Sequence, residues 1–382
     1  MERRTLLRGA VIGVGAAAFG GSLWRGAFAG QGASPAADGP YGPLQPADAN
    51  GVQLPSGFTS RIVARSSQQV PGTSYTWHPA PDGGACFADG SGWIYVSNSE
   101  ISGSGGVGAL RFSADGSVSG AYRILDRTNR NCAGGSTPWS TWLSCEEVSY
   151  GAVFETDPYG VKAAVRHPAM GLFKHEAAAV DPDRKVVYLT EDETDGGLYR
   201  YTPSSWPDLS AGTLEVLTAG KGKNRNSIAW VRVPDPSGGS GPTRGQVREM
   251  KRFSGGEGCH YGNGVCYFTT KGDNRVWAYD AAANTLSVLY DDGTPLSGVD
   301  NITGTPSGDL FVAEDGGNME ICMIEPSAVT SVFARLVDQG SSEICGPAFS
   351  PDGTRLYFSS QRGTSGSSSG GLTYEVTGPF RG

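Results

Sequence analysis

Charged residues, histidines and cysteines are all scarce in this chain. Asp, Glu, Lys and Arg together make up 18% of its 382 residues, against an ordinary ~25%. No positive excess exists: the formal net charge is −8, so nucleic acid and anionic lipid are poor partners. Seven cysteines are too few for a disulfide scaffold, and the odd count leaves at least one thiol unpaired or used otherwise. The four histidines, His78, His167, His175 and His260, do not suggest a Ser/His/Asp nucleophile set. Beyond the N-terminus no apolar run approaches the ~20 residues of a membrane span. Glycine is what the chain has in excess, 58 residues, about twice the usual ~7% share. Many Gly and Pro with few Lys and Glu read as an all-β chain with many tight turns. The length allows one large or two ordinary domains with a well-buried core.

The first residues read as an address. Arg3-Arg4-Thr5-Leu6-Leu7-Arg8 precedes a weakly apolar, Gly/Ala-rich stretch from Gly9 to Leu23, followed by Ala27-Phe28-Ala29. Charged region, apolar region and small-x-small site in that order make a signal peptide over residues 1–29. The paired arginines point to the twin-arginine export machinery as a partner and to a periplasmic or extracellular location. That route carries folded proteins, often with metal already inserted. The apolar stretch is too short for a stable membrane span. Residues 30–56, rich in Gly, Pro, Ala and Ser, read as an N-terminal tail.

From 57 to 382 the chain repeats. Six segments share one grammar: an apolar strand, a Gly/Asp turn, a second strand ending in polar residues, and a third strand. The second strands are expected at Trp93–Ser97, Thr141–Cys145, Val186–Thr190, Val265–Thr269, Leu310–Ala313 and Leu356–Ser359. The third strands are expected at Ala109–Phe112, Ala152–Glu155, Leu198–Tyr201, Val276–Tyr279, Ile321–Ile324 and Leu372–Glu375. Equivalent points (Ser97, Ser144, Thr190, Thr270, Ala313, Ser359) are spaced 47, 46, 80, 43 and 46 residues apart, the long gap holding an insertion near 204–252. A period of about 45 with three or four strands per unit is a propeller signature, here of six blades.

That fold aims polar residues. In a propeller the first strands line the channel in one direction, so the start of strand one and the end of strand two meet at the same mouth. Strand-one starts carry Asn131-Cys132, His175-Glu176, Glu257, Asp300-Asn301 and Glu343. Strand-two ends carry Glu100, Glu146-Glu147, Glu191-Asp192-Glu193 and Glu314-Asp315. A Glu after one strand is ordinarily a solvated turn residue, and His175 alone reads as a packed histidine. The recurrence at equivalent blade positions changes that. Carboxylates within about 6 Å of each other cannot all stay ionised without a cation. Oxygen-rich sites favour Ca²⁺ or other hard cations.

Cys132 and Cys145 bracket one hairpin. In an exported protein they could form a disulfide. Yet Cys132 sits where other blades offer carboxylates, and a thiolate there suits a borderline metal such as iron. Cys259, Cys266, Cys322 and Cys345 read as structural, without a derivable pairing, and Cys86 as a core residue.

The hairpin Asn131-Cys132-Ala133-Gly134-Gly135-Ser136-Thr137-Pro138-Trp139-Ser140-Thr141-Trp142-Leu143-Ser144-Cys145-Glu146-Glu147 resembles the NCAGG-x-TPWGT-x-L-x-CEEN stretch of PhoX-type alkaline phosphatases. Lys174-His175-Glu176-Ala177, followed by Val187-Tyr188-Leu189-Thr190-Glu191-Asp192-Glu193, is similar to the family's HE-x-A and VY-x-x-DDE segments. Gly346-Pro347-Ala348-Phe349-Ser350-Pro351-Asp352-Gly353 matches its GP-x-F-x-PDG turn. The resemblance implies a six-bladed propeller that hydrolyses small phosphate esters with a cluster of iron and calcium, exported by the twin-arginine route. It implies iron ligands at Cys132 and Glu176, a metal ligand at Glu257 and a calcium ligand at Glu147. Glu191, Asp192, Glu193, Asp300, Asn301 and Asp315 fall on metal-proximal segments.

The chain reads as a short, divergent member. The family's Arg-Pro-Glu is Gly255-Gly256-Glu257 here, so a phosphate-binding arginine is missing, and the asparagine after Cys-Glu-Glu is Val148. A basic residue from another blade is expected to take the arginine's part. Arg362, just past the second strand of blade six, is the first candidate, and Lys271, in the matching place of blade four, the second. The expected reaction is metal-assisted phosphoryl transfer. Two alternatives stay open: a calcium-dependent lactonase-like hydrolase, and a non-catalytic, metal-stabilised binding propeller.

Overall fold

The computed structural model describes residues 39–219 and 228–381. The expected signal peptide at 1–29 and the first part of the 30–56 stretch lie outside the described residues. Those described form strands and short 3-10 turns, with no α-helix and no helix long and apolar enough to cross a membrane.

Six antiparallel sheets form the six blades of a β-propeller, as the repeat predicts. Blade one comprises Pro81–Asp89, Gly92–Ser99, Gly105–Phe112 and Val118–Thr128. Blade two comprises Asn131–Ser136, Trp142–Glu146, Val153–Thr156 and Val165–His167. Blade three opens with His175–Asp181, Val186–Glu191 and Leu198–Ser205. Blade four comprises Gly256–Gly262, Val265–Thr270, Arg275–Asp280 and Thr285–Asp291. Blade five comprises Val299–Gly304, Leu310–Glu314, Glu320–Ile324 and Thr330–Leu336. Blade six opens with Ile344–Phe349, Arg355–Ser360 and Leu372–Thr377.

Each blade is sandwiched between two others, so its middle strands are apolar on both faces. Val186–Glu191 and Leu310–Glu314 are buried along their whole length. Continuous runs such as Trp93-Ile94-Tyr95-Val96 follow from that two-sided burial. The core consists of layers between blades; in one, Leu143 and Cys145 of blade two meet Val187, Leu189 and Tyr199 of blade three.

The N-terminal part closes the circle. Thr59–Arg65 is the outer strand of blade six, tied by Arg61 to Glu375 at 2.8 Å. Glu375 also accepts from Arg355 at 2.7 Å and from the Tyr357 hydroxyl at 2.5 Å. Within the 30–56 stretch, Val52–Gln53 adds an edge strand to blade five. The segment near 204–252 supplies blade three with its fourth strand, Asp208–Ala219, and a fifth, Ile228–Arg232.

The six inner strands converge on a narrow channel that only small residues permit. A Cβ on Gly83 would stand 2.5 Å from Ala133 Cα, and one on Gly258 would stand 2.7 Å from Asn301 Cα. Gly258→Ala is expected to destabilise the fold by about 1–3 kcal/mol through overpacking. Gly120→Ala, whose added atom would make only an ordinary 3.7 Å contact with Arg111, should change stability by less than about 0.5 kcal/mol. Denaturant melts of both variants test this, and equal midpoints would refute the close-packed neck.

Candidate functional site

The inner strands all enter the mouth in the same way. Each pairs its first residue with the end of the second strand: Pro81 with Ser99, Asn131 with Glu146, His175 with Glu191, Gly256 with Thr270, Val299 with Glu314 and Ile344 with Ser360. In each blade the ladder is then irregular beyond that pairing, a bulge of the kind that re-aims a side chain. The second inner-strand residues form one ring: Asp82, Cys132, Glu176, Glu257, Asp300 and Cys345. The residues after the second-strand ends form another: Glu100, Glu147, Asp192, Lys271, Asp315 and Gln361.

Potential ligand atoms converge along these rings. Asp82, Glu100 and Cys132 offer atoms all within 4.8 Å of one another, as do Cys132, Glu147 and Glu176, and Glu176, Glu257 and Asp300. Glu176 is wholly buried, and neither of its carboxylate oxygens has a hydrogen-bond partner. Burial, and then the charge of Glu257, pushes its carboxyl well above the usual range. Burial likewise lifts Asp300 to about 8 and Glu147 to about 7. Cys132 is raised by burial and then by Asp82. A bound cation reverses these shifts by favouring the charged forms.

Two lysines reach into the same space. Lys174 Nζ lies 2.8 Å from Glu147 Oε1 and 2.7 Å from Asp192 Oδ2. Lys271 Nζ lies 2.6 Å from Glu257 Oε1 and 3.4 Å from Asp192 Oδ2. Burial works against ionisation of Asp192, but Lys271 and then Lys174 hold its carboxyl below the usual range.

Within the acid pairs the two members do different work. Glu146 accepts the backbone N–H groups of Asn129 and Ala152. Glu314 accepts those of Ser297 and Glu320. Glu191 accepts from Gly197 N–H and the Tyr199 hydroxyl. These first members brace loops, while Glu147, Asp192 and Asp315 follow on the outer ring. Glu191 and Glu193 are also engaged by Arg244, at 3.1 and 3.3 Å. Asn301 is a brace as well: it donates to Asp300 at 3.0 Å and accepts from Gly346 N–H at 2.6 Å. Asp315 is exposed at the rim. Arg362 lies one residue beyond the ring position, 3.0 Å from Glu343 Oε1. Cys145 packs apart from Cys132 in an apolar layer, and both thiols are free. His175 is buried and held to Gly171 O at 2.9 Å, its basicity pushed down by burial to about 4.

Several mouth residues escaped the sequence reading. Asp82 is the second residue of the inner strand of blade one, where Pro81 breaks the strand pattern; counting back from the second strand would have found it. Gln361 donates to Asp82 and Glu100 at 2.5 and 3.0 Å. Arg244 comes from the insertion, and no local signal places it. Another acid–thiol group, Glu314–Glu320–Cys322, is satisfied internally by backbone N–H groups and Arg335. The opposite end of the channel opens into a cavity of about 560 Å³ lined by residues such as Gly135, Ala179, Tyr261 and Phe349, with no carboxylate.

Comparison with known proteins bears on the family and the fold. The family model "Alkaline phosphatase PhoX" matches residues 95–150 and 148–285, half of the chain. The structure of Pseudomonas fluorescens PhoX in complex with vanadate, a transition state analogue, is 16% identical with a TM-score of 0.69, covering 86% of this chain and 96% of that one. A Bacteroides thetaiotaomicron protein of unknown function is 8% identical with a TM-score of 0.52, covering 84% and 76%. No curated protein sequence matches.

The raised carboxyls fix a pH dependence. A carboxyl whose folded pKa is raised binds a proton that the unfolded chain has already lost, so stability falls as pH rises. The window runs from about 4, the unfolded value, through the folded values of about 7 and 8 at Glu147 and Asp300. Chelator-treated protein should therefore melt at progressively lower temperature from pH 5 to pH 8. Protein kept with divalent cations should show a flatter profile. A metal-free melting temperature that rises across this window would contradict the mouth electrostatics.

Proposed function

The chain belongs to the PhoX alkaline phosphatase family, and from that premise we propose that it is an exported, metal-dependent hydrolase of small phosphate esters. One observation carries the metal dependence: the Glu176 carboxylate is buried in the channel mouth with neither oxygen partnered. Leaving a buried acceptor unsatisfied costs about 1–3 kcal/mol, and more for a charge. A cation between Glu176 and its neighbours removes that cost.

Cys132, Glu176 and Glu257 would hold iron, the thiolate supplying the borderline ligand. Glu147, Asp192, Asp300 and Asp315 are oxygen donors suited to calcium. When bound, such cations neutralise phosphoryl oxygens and activate the attacking oxygen. A calcium-only lactonase has no use for a thiolate at Cys132.

The phosphate grip falls to the lysines. A Cβ on Gly255 would stand 3.1 Å from Lys271 Cγ and 3.2 Å from Asp192 Oδ1, and Gly255 has φ +66°. Lys271 therefore occupies the space that a side chain at 255 would need. Lys174 precedes the inner strand of blade three just as Gly255 precedes that of blade four. Two ammonium groups beside Asp192 can orient a phosphate as it enters and hold its charge through reaction. Arg362, committed to Glu343, is the weaker clamp, which reverses the order expected from sequence.

Protein purified without chelator should contain iron and calcium together. Glu176→Gln should lower turnover of an aryl phosphate at least 100-fold, about 2.7 kcal/mol, with loss of bound metal and a retained circular dichroism spectrum. Unaltered turnover would sink the proposal. Lys271→Ala should lower turnover at least tenfold with metal retained, while Arg362→Ala should stay within about twofold. Wild-type rates for Lys271→Ala with intact metal content would remove the clamp.

A further inference from the structure

Five of the seven cysteines pack in apolar clusters: Cys145, Cys259, Cys266, Cys322 and, at one edge, Cys86. Cys132 and Cys345 belong to none of these clusters. Both stand at the second position of an inner strand, Cys132 in blade two and Cys345 in blade six. The blade between them contributes Asp82 at the same position.

The distances join the three. The Cys345 thiol, an Asp82 oxygen and a Glu343 oxygen all lie within 4.8 Å of one another, just as Asp82, Glu100 and Cys132 do. Asp82 is thus common to two adjacent donor groups, each with one thiol. The backbone holds Cys345 against it. Gly346 has φ +61°, and a Cβ there would stand 2.7 Å from Asp82 O; its N–H is fixed on Asn301 Oδ1 at 2.6 Å. Gln361, donating to the Asp82 carboxylate at 2.5 Å, orients the shared ligand from outside the donor set. Glu343 also meets Arg362, 3.0 Å from its Oε1, and the Asp315 side chain.

We propose that Cys345 is a second thiolate ligand, forming with Asp82 and Glu343 a cation position adjacent to the one Cys132 serves, with Asp82 shared between them. This rests on the metal-centre reading above, but the PhoX resemblance assigns a thiolate only to Cys132. On binding, the Cys345 thiol gives its proton to solvent and its sulfur to the cation. Two thiolates bias the pair of positions toward borderline cations over calcium.

Cobalt(II) is a suitable probe, because thiolate-to-cobalt charge transfer absorbs in the near ultraviolet independently of turnover. Metal-depleted full-length protein refilled with cobalt should show this band. Cys132→Ser and Cys345→Ser should each lower it by about half, and the double variant should abolish it. A band unchanged in Cys345→Ser but reduced in Cys132→Ser overturns this inference and leaves the metal centre standing. No band in the wild type overturns both. Should Cys345→Ser fail to fold, X-ray absorption at the cobalt edge of the wild type decides: two sulfur ligands per chain are expected, and one refutes Cys345.

Discussion

Like charges forced together in a buried neck dominate this protein. Inner strands approach one another so closely that glycine is required at contacts such as Gly83 against Ala133 and Gly258 against Asn301. Each of those strands places its second residue in the mouth, and four of the six are carboxylates: Asp82, Glu176, Glu257 and Asp300. Rigid sheets packed on both faces cannot spread to relieve the repulsion. The charge must be met by protons, by ammonium groups or by metal. The raised carboxyls, the two lysines and the unpartnered Glu176 are three consequences of that single constraint.

The mouth tolerates this because its loops are fixed by a separate set of acids. Glu146, Glu191 and Glu314 end their second strands and turn back to accept backbone N–H groups of the neighbouring loops. They keep the following residues, Glu147, Asp192 and Asp315, on the outer ring. Arg244, crossing from the insertion of blade three, adds a cation behind Glu191 and Glu193. The division of labour between adjacent acids lets one short segment be both scaffold and site.

Much of the architecture is legible in the chain because two-sided burial writes each middle strand as a continuous apolar run. The runs at Trp93–Ser97 and Leu310–Ala313 fall within observed second strands, Gly92–Ser99 and Leu310–Glu314. The position of Cys132, Glu176, Glu257 and Asp300 on one ring follows from the same periodicity. Sequence does not tell which of three successive acids braces and which faces the mouth, since a bulge shifts the alternation locally. Hence Glu191 and Glu193 look equivalent to Asp192 until Arg244 is seen beside them. Asp82 was hidden by Pro81, and Cys345 by the ordinary preference of cysteine for cores. Long-range returns such as Arg244 leave no local trace at all.

The missing arginine shows how one register can be served by different residues. A side chain at position 255 would have to share space with Lys271 and Asp192, and the positive φ of Gly255 disfavours any side chain there. Lys271 grows from the outer ring of the same blade into that space, and Lys174 enters from the neighbouring blade at the position corresponding to Gly255. Their ammonium groups meet at Asp192 Oδ2, at 3.4 and 2.7 Å. An ammonium is a point charge with rotatable donors, whereas a guanidinium is a planar fork. The exchange therefore keeps the positive charge beside the acids while giving up a fixed bidentate geometry. A grip made of two point charges depends on where Asp192 holds them, which makes that carboxylate the residue that sets the spacing of the clamp.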